Sequence, residues 1–102
     1  MQKGYVYLLT DGEFFKIGVT RGSIEKRIKK LQTGNADTIT IKQYYQTDIP
    51  FKLEKTLHTM HANQRINNEW FSLSLEDVAN FTDECQSLES KLKALSESNP
   101  YI

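Results

Sequence analysis

Two short runs open the chain, Tyr5-Val6-Tyr7-Leu8-Leu9 and Phe14-Phe15-Lys16-Ile17-Gly18-Val19, both rich in β-branched and aromatic residues, with Asp11-Gly12 between them. Strand formers on either side of that turn pair predict an antiparallel hairpin. The period then changes: behind Ser23, a capping residue, Ile24, Ile28 and Leu31 fall at i, i+4 and i+7, and Thr33-Gly34-Asn35 ends the pattern, which predicts a first helix. Residues 38 to 45, Thr-Ile-Thr-Ile-Lys-Gln-Tyr-Tyr, alternate again and predict a third strand joining the hairpin. Asp48 and Pro50 start a second helix with Leu53, Leu57 and Met60 on one stripe, and Asn67-Asn68 is a turn after which Glu69-Trp70-Phe71 runs back under the sheet. Ser74 and Asp77 begin a last helix whose Val78, Phe81, Cys85, Leu88, Leu92 and Leu95 step by three and four.

These elements predict an α+β domain: a small three-stranded antiparallel sheet flanked by helices, with a long C-terminal amphipathic helix. Residues 1–73 form the expected core, and residues 74–102 a helix that packs on it or pairs with a second copy as a homodimer, its tail from Ser96 to Ile102 frayed. A chain of 102 residues supports one modest hydrophobic core. Its single Cys85 excludes an internal disulfide and a four-cysteine zinc site, and fits a reducing compartment. No apolar run approaches a membrane span and the start reads as a strand rather than a leader, so a soluble, cytoplasmic protein without a membrane partner is expected.

The formal net charge of zero hides an asymmetry. Up to residue 70 there are eleven Lys/Arg against seven Asp/Glu, and beyond it two lysines against six acids. The half that carries the candidate chemistry is basic, which keeps nucleic acid open as a partner.

Four polar positions stand inside the apolar pattern: Tyr7, Lys16, Arg27 and Glu54. Arg27, between Ile24 and Leu31, projects from the core-facing edge of its helix and can present a planar fork of donors to a phosphate. Lys26, Lys29 and Lys30 point elsewhere and suit the phosphate backbone, which would give affinity without sequence preference. Glu54, with His58 and His61 at i+4 and i+7, offers the carboxylate oxygen that Mg²⁺ prefers, and the spacing is not the His-Glu-x-x-His of zinc enzymes. His61 reads as an exposed helix position. Tyr5 and Tyr7 share one face of the first strand, Lys16 and Gly18 one face of the second, and Gly18 suits close approach of a backbone or ligand.

Tyr5-Val6-Tyr7, Lys16-Ile17-Gly18, Arg27 in Arg27-Ile28-Lys29-Lys30-Leu31, Glu54-Lys55-Thr56-Leu57-His58 and Glu69-Trp70-Phe71, in that order, resemble the GIY-YIG nuclease domain in its compact phage and bacterial branch. The second motif carries lysine where the family name has tyrosine, and the first carries Tyr5 in place of glycine. The resemblance implies cleavage of phosphodiester bonds with one divalent metal, Mg²⁺ or Mn²⁺ in its place. It implies that Tyr7 activates or orients the attacking water, that Arg27 stabilises phosphoryl charge, that Glu54 holds the metal and that His58 assists proton transfer or orients the phosphate. Whether Tyr7 or Lys16 accepts the proton stays open.

The expected function is therefore a metal-dependent DNA endonuclease, with catalytic Tyr7, Lys16, Arg27, Glu54 and His58, substrate contacts from Tyr5, Gly18, Lys26, Lys29 and Lys30, and Glu54 as metal ligand. No separate DNA-reading module is visible, so specificity would come from DNA structure, oligomerisation or a protein partner. The alternatives are a non-catalytic module that binds nucleic acid or protein, and an interaction or inhibitor protein acting through the acidic final helix.

Overall fold

The computed structural model describes residues 3–33 and 38–98. In chain order the elements are β1 (Gly4–Thr10), β2 (Phe15–Thr20), α1 (Ile24–Thr33), β3 (Thr40–Thr47), α2 (Pro50–Met60), β4 (Arg65–Asn67), β5 (Trp70–Phe71), α3 (Leu75–Ala79) and α4 (Phe81–Ser98). A 3-10 turn, Ala62–Gln64, follows α2. The expected glycine stop at Gly34-Asn35 and the tail beyond Ser98 lie outside the described residues.

The sheet has five antiparallel strands in the order β3-β1-β2-β5-β4, which corrects the expected three. The two additional strands are three and two residues long, joined through Asn68 at φ 38°. Such short strands carry no readable period. Only pairing with Phe15 and Lys16 of β2 on one side and with β4 on the other makes Trp70-Phe71 part of the sheet instead of a segment beneath it.

Alternation along β1 divides the interior into two layers. Val6, Leu8 and Ile17 face Leu53 and Leu57 of α2 and Phe81, Cys85 and Leu88 of α4, with Phe71 filling the same layer. Tyr7 and Leu9 face the other way, with Ile39, toward Ile24 and Leu31 of α1 and toward Trp70. Each fully buried side chain of this kind contributes about 1.5–3 kcal/mol. At the β1–β2 turn, Asp11 Oδ1 accepts from the backbone of Glu13 and Phe14, and Gly12 supplies a φ of 106°.

Met60, expected on the buried stripe of α2, is 53% exposed. The helix ends there and the chain tightens into the 3-10 turn, so the next residue, His61, takes the inward position at 8% exposure. His61 as an exposed position is thus corrected.

The single last helix is two. α3 starts at a capping box in which Ser74 and Asp77 satisfy each other's backbone N–H groups. The break before Phe81 is held by Gln43 of β3: its Nε2 donates to the Val78 carbonyl, and its Oε1 accepts from the backbone N–H of Thr82 at 3.0 Å. One side chain therefore completes the end of α3 and the start of α4. The seam of α4 turns inward, with Leu95 exposed. Glu89 accepts from Tyr45 Oη at 2.9 Å and from Thr47 Oγ1, while Glu84 meets His61, so two acids of the acidic segment serve the fold itself. Burial first, and then the carboxylates nearby, push the Cys85 thiol up to about 12, leaving it chemically quiet. No helix among the described residues is long and apolar enough to cross a membrane.

Candidate active site

The second half of β2 is where the sheet opens. β5 pairs only with Phe15 and Lys16, and Ile17 N–H donates to the Glu69 carbonyl at 3.1 Å as the last link. Where the next strand bond would fall, His58 of α2 takes over: its Nε2 lies 2.9 Å from the Ile17 carbonyl. Since a carbonyl only accepts, Nε2 is the donor of this bond, and Nδ1 takes no part in it. The ring also stands edge-on to Phe71, centroids 5.0 Å apart, which fixes its tilt.

Tyr7 reaches the same edge from the opposite face. It pairs with Gly18 across β1–β2, and its ring crosses β2 where Gly18 has no side chain. A Cβ there would sit 2.7 Å from Tyr7 Cε1 and closer still to Cζ and Oη. The strand-interior glycine thus serves an intramolecular approach. At the end of that ring, Arg27 of α1 donates through Nε to Tyr7 Oη at 3.3 Å. Burial raises the Tyr7 phenol above its usual range, more than Arg27 lowers it, and the charges of Glu69 and Glu54 add to the rise. Tyr7 is therefore a neutral phenol near pH 7 whose own proton is free to be donated.

The carboxylates close the site. Glu54 stands one turn before His58 on α2, and Glu69 sits in the β4–β5 turn, where its Oε2 pairs with Lys16 Nζ at 3.4 Å. One ligand atom from each of Glu54, His58 and Glu69 can be chosen so that all lie within 4.8 Å of one another. Burial, a hydrogen bond to Glu69 and the negative charge of Glu69 push Glu54 up to about 7, against the partial opposition of Lys16 and Arg27. Its Oε2 is buried without a hydrogen-bond partner. Two carboxyl groups held together, with one buried oxygen left unsatisfied, make a donor cluster that a further positive charge would complete. The two carboxylates are oxygen donors of the kind a hard divalent cation takes, and the imidazole nitrogen is a third group able to ligate. Beside Glu54 and His58 a cleft of about 570 Å³ continues past Phe51, Lys55, Thr59 and Arg65, with the Arg21 guanidinium 4.9 Å over the Phe51 ring.

Five expected residues therefore meet: Tyr7, Lys16, Arg27, Glu54 and His58, with Gly18 making room. They do not all arrive from one face of the sheet. Tyr7 and Arg27 arrive from the α1 side, Glu54 and His58 from the α2 side, and they join around the edge of β2. Tyr5 is not in the cluster and contacts Tyr44 instead, while Lys26, Lys29 and Lys30 lie exposed along α1. His61 is turned away into Gln64 and Glu84, at 2.6 and 2.8 Å. The addition is Glu69: it opens the Glu69-Trp70-Phe71 motif of the sequence, but the motif gives this glutamate no role in the site, and nothing local distinguishes it from a solvated one.

A family model for the T5orf172 domain matches residues 4–86, which includes all of these residues. The chain belongs to the T5orf172 domain family. The resemblance to the GIY-YIG nuclease domain is corrected by this match, which is to a different family. Its five motifs are only a few residues each, and a polar residue on each of two strands and two helices constrains a local arrangement more than a descent. Among curated proteins, this T5orf172 domain is 34% identical over 88 residues to the uncharacterized protein 460R of Invertebrate iridescent virus 6, an alignment covering 76% of this chain and 38% of that protein. The chain thus spans well under half the length of that viral relative. No solved structure matches it.

Proposed function

We propose that this T5orf172 domain is a divalent-metal-dependent endonuclease that hydrolyses phosphodiester bonds in DNA, with its reaction centre at the open edge of β2. The observation that carries the reading is the Glu54–Glu69 carboxyl pair, with its unsatisfied buried oxygen, set against His58 on one side and Arg27 and Tyr7 on the other.

Glu54 and Glu69, with a ring nitrogen of His58, would hold Mg²⁺ or Mn²⁺. When bound, the ion supplies charge stabilisation at the phosphate and lets both carboxyl groups ionise together. The bond Arg27 makes to Tyr7 uses Nε, and its terminal nitrogens would bind the non-bridging phosphate oxygens as negative charge accumulates. Tyr7, held by Arg27 and walled by Gly18, keeps a donor aimed at the same region and orients the attacking water or the phosphate. Lys16 maintains Glu69 in place through its ion pair, a positioning role in this reading. His58 is oriented by the Ile17 carbonyl. Lys26, Lys29 and Lys30 supply sequence-independent contacts to the backbone of the nucleic acid.

The test is cleavage of plasmid, linear duplex, branched and single-stranded DNA, with RNA alongside, in Mg²⁺, Mn²⁺ or EDTA. Cutting that requires metal and falls at least 100-fold in both Glu54→Gln and Arg27→Ala is expected. A folded wild-type protein that cuts nothing, or a Glu54→Gln protein that cuts at the wild-type rate, refutes the reading.

A further inference from the structure

On the α1 side of the sheet a second cleft, about 430 Å³, runs between the start of α1 and strand β3, lined by Tyr5, Tyr44, Ile24, Ile28, Ile41 and Glu25. We propose that this cleft is a nucleobase subsite, in which Tyr44 stacks on one unpaired base of the strand whose adjoining phosphate lies at Arg27 and Tyr7. The proposal rests on the nuclease reading and narrows it: the substrate strand is single or locally opened at the cut.

Three observations converge on a base. Tyr44 is a large aromatic side chain left 55% exposed, and Tyr5 meets it edge to face, with centroids 5.8 Å apart and planes at 70°. A T-shaped contact steadies Tyr44 and occupies at most one face of its ring, so a flat aromatic surface remains to be covered. The sheet register puts Tyr44 directly opposite Tyr7. With strands about 4.8 Å apart, the platform on β3 and the reaction centre at β2 are separated by roughly 10 Å across the sheet, a reach of one or two nucleotides.

Charge selects what enters. Lys26, Lys29 and Lys30 are exposed on α1, the wall of this cleft, and form a row that a phosphate backbone can follow. At the rim, the charged lining group is the exposed Glu25, whose Oε2 accepts from Ser23 Oγ at 2.8 Å; it repels phosphate and can receive an exocyclic amino group. Cations along the exposed side of α1, with aromatic rings lining the cleft and a carboxylate at its rim, fit a nucleotide with its phosphate out and its base in, and suit an acidic peptide poorly. Bases inside a duplex are stacked on their neighbours and cannot present a face to Tyr44, so recognition here requires an unpaired one.

The experiment measures fluorescence anisotropy in EDTA, so that binding is read whether or not the protein cleaves. The probes are a labelled 12-nucleotide single strand, the same strand carrying one abasic site moved along its length, and a 12-base-pair duplex. Tyr44→Ala is expected to weaken single-strand binding about tenfold, Tyr44→Trp to retain it, and duplex binding to change less than twofold. One abasic position should weaken wild-type binding by the same factor and leave the Tyr44→Ala protein indifferent. Equal losses on single strand and duplex, no loss on either, no binding by the wild-type protein, or a changed oligomeric state in Tyr44→Ala on size exclusion overturns the proposal, the last by making a second copy the occupant. If the base-dependent difference is present but no probe is cut in Mg²⁺, the subsite stands and the nuclease reading alone falls.

Discussion

Replacing Glu54 with glutamine should make the metal-free protein more stable at alkaline pH, although it removes a group at the centre of the candidate site. In the folded chain, burial and the neighbouring Glu69 hold the Glu54 proton up to about pH 7, whereas the usual carboxyl releases it near 4.5. The folded state therefore binds more protons than the unfolded one between those values, and Glu54 makes stability fall as pH rises from 4.5 to about 7. The interval corresponds to roughly 3 kcal/mol, which water at a half-buried group reduces to about 1–2 kcal/mol. Glutamine cannot ionise and its amide can donate to Glu69, so Glu54→Gln should lose this part of the decline. Urea unfolding in EDTA at half-unit steps from pH 4.5 to 8.5 reads the difference. The variant's midpoint should exceed the wild-type midpoint by about 1 M at pH 8 and converge with it at pH 4.5. Adding Mg²⁺ at pH 8 should then raise the wild-type midpoint and leave the variant's in place. Parallel wild-type and variant curves across the range would refute the reasoning, because the carboxyl pair would then not be short of positive charge.

Three further outcomes follow from the same geometry. Gly18→Ala drives a Cβ into the Tyr7 ring, so its cleavage rate should fall at least 100-fold while its unfolding free energy drops by no more than about 2 kcal/mol; retained cleavage would place Tyr7 outside the reaction. His61 faces Glu84 Oε1 and Gln64 Oε1, and Gln64 Nε2 is engaged by Asp77, so both ring nitrogens meet acceptors. Burial opposes the imidazolium, but those bonds and the charges of Glu84 and Asp77 prevail and raise its pKa. Its contribution is full below the unfolded value near 6.5 and is lost as pH rises through the folded one, so His61→Gln should flatten the stability profile above pH 6.5; an unchanged slope there contradicts a charged His61. Leu57→Ala, beneath β1 and β2, should cost about 2–5 kcal/mol by urea unfolding, and a loss below 1 kcal/mol would mean that α2 is not anchored there.

Local pattern carried much of the architecture. The first hairpin, α1 behind Ser23, β3 and α2 after Pro50 all follow from period and cap chemistry, because each buries one face and so repeats at its own interval. β4 and β5 were not legible, since five residues hold no period, and their existence depends on an edge of β2 that lies fifty residues earlier. The break between α3 and α4 was not legible either: the seam continues through it, and the break is held by Gln43 from another strand.

The candidate site divides along the same line. Sequence alone determined that Tyr7, Lys16, Arg27, Glu54 and His58 are polar residues placed on elements whose other faces must be buried, which commits each to a boundary between core and water. Only the tertiary structure decided that they meet around the edge of β2 from both faces, that Glu69 joins them, and that His61 leaves them for α4. The physical reason is range. Period, capping and turn chemistry act over a few residues, whereas a close carboxyl pair, an unsatisfied buried oxygen and a vacant strand edge exist only where distant segments are brought within a few ångströms.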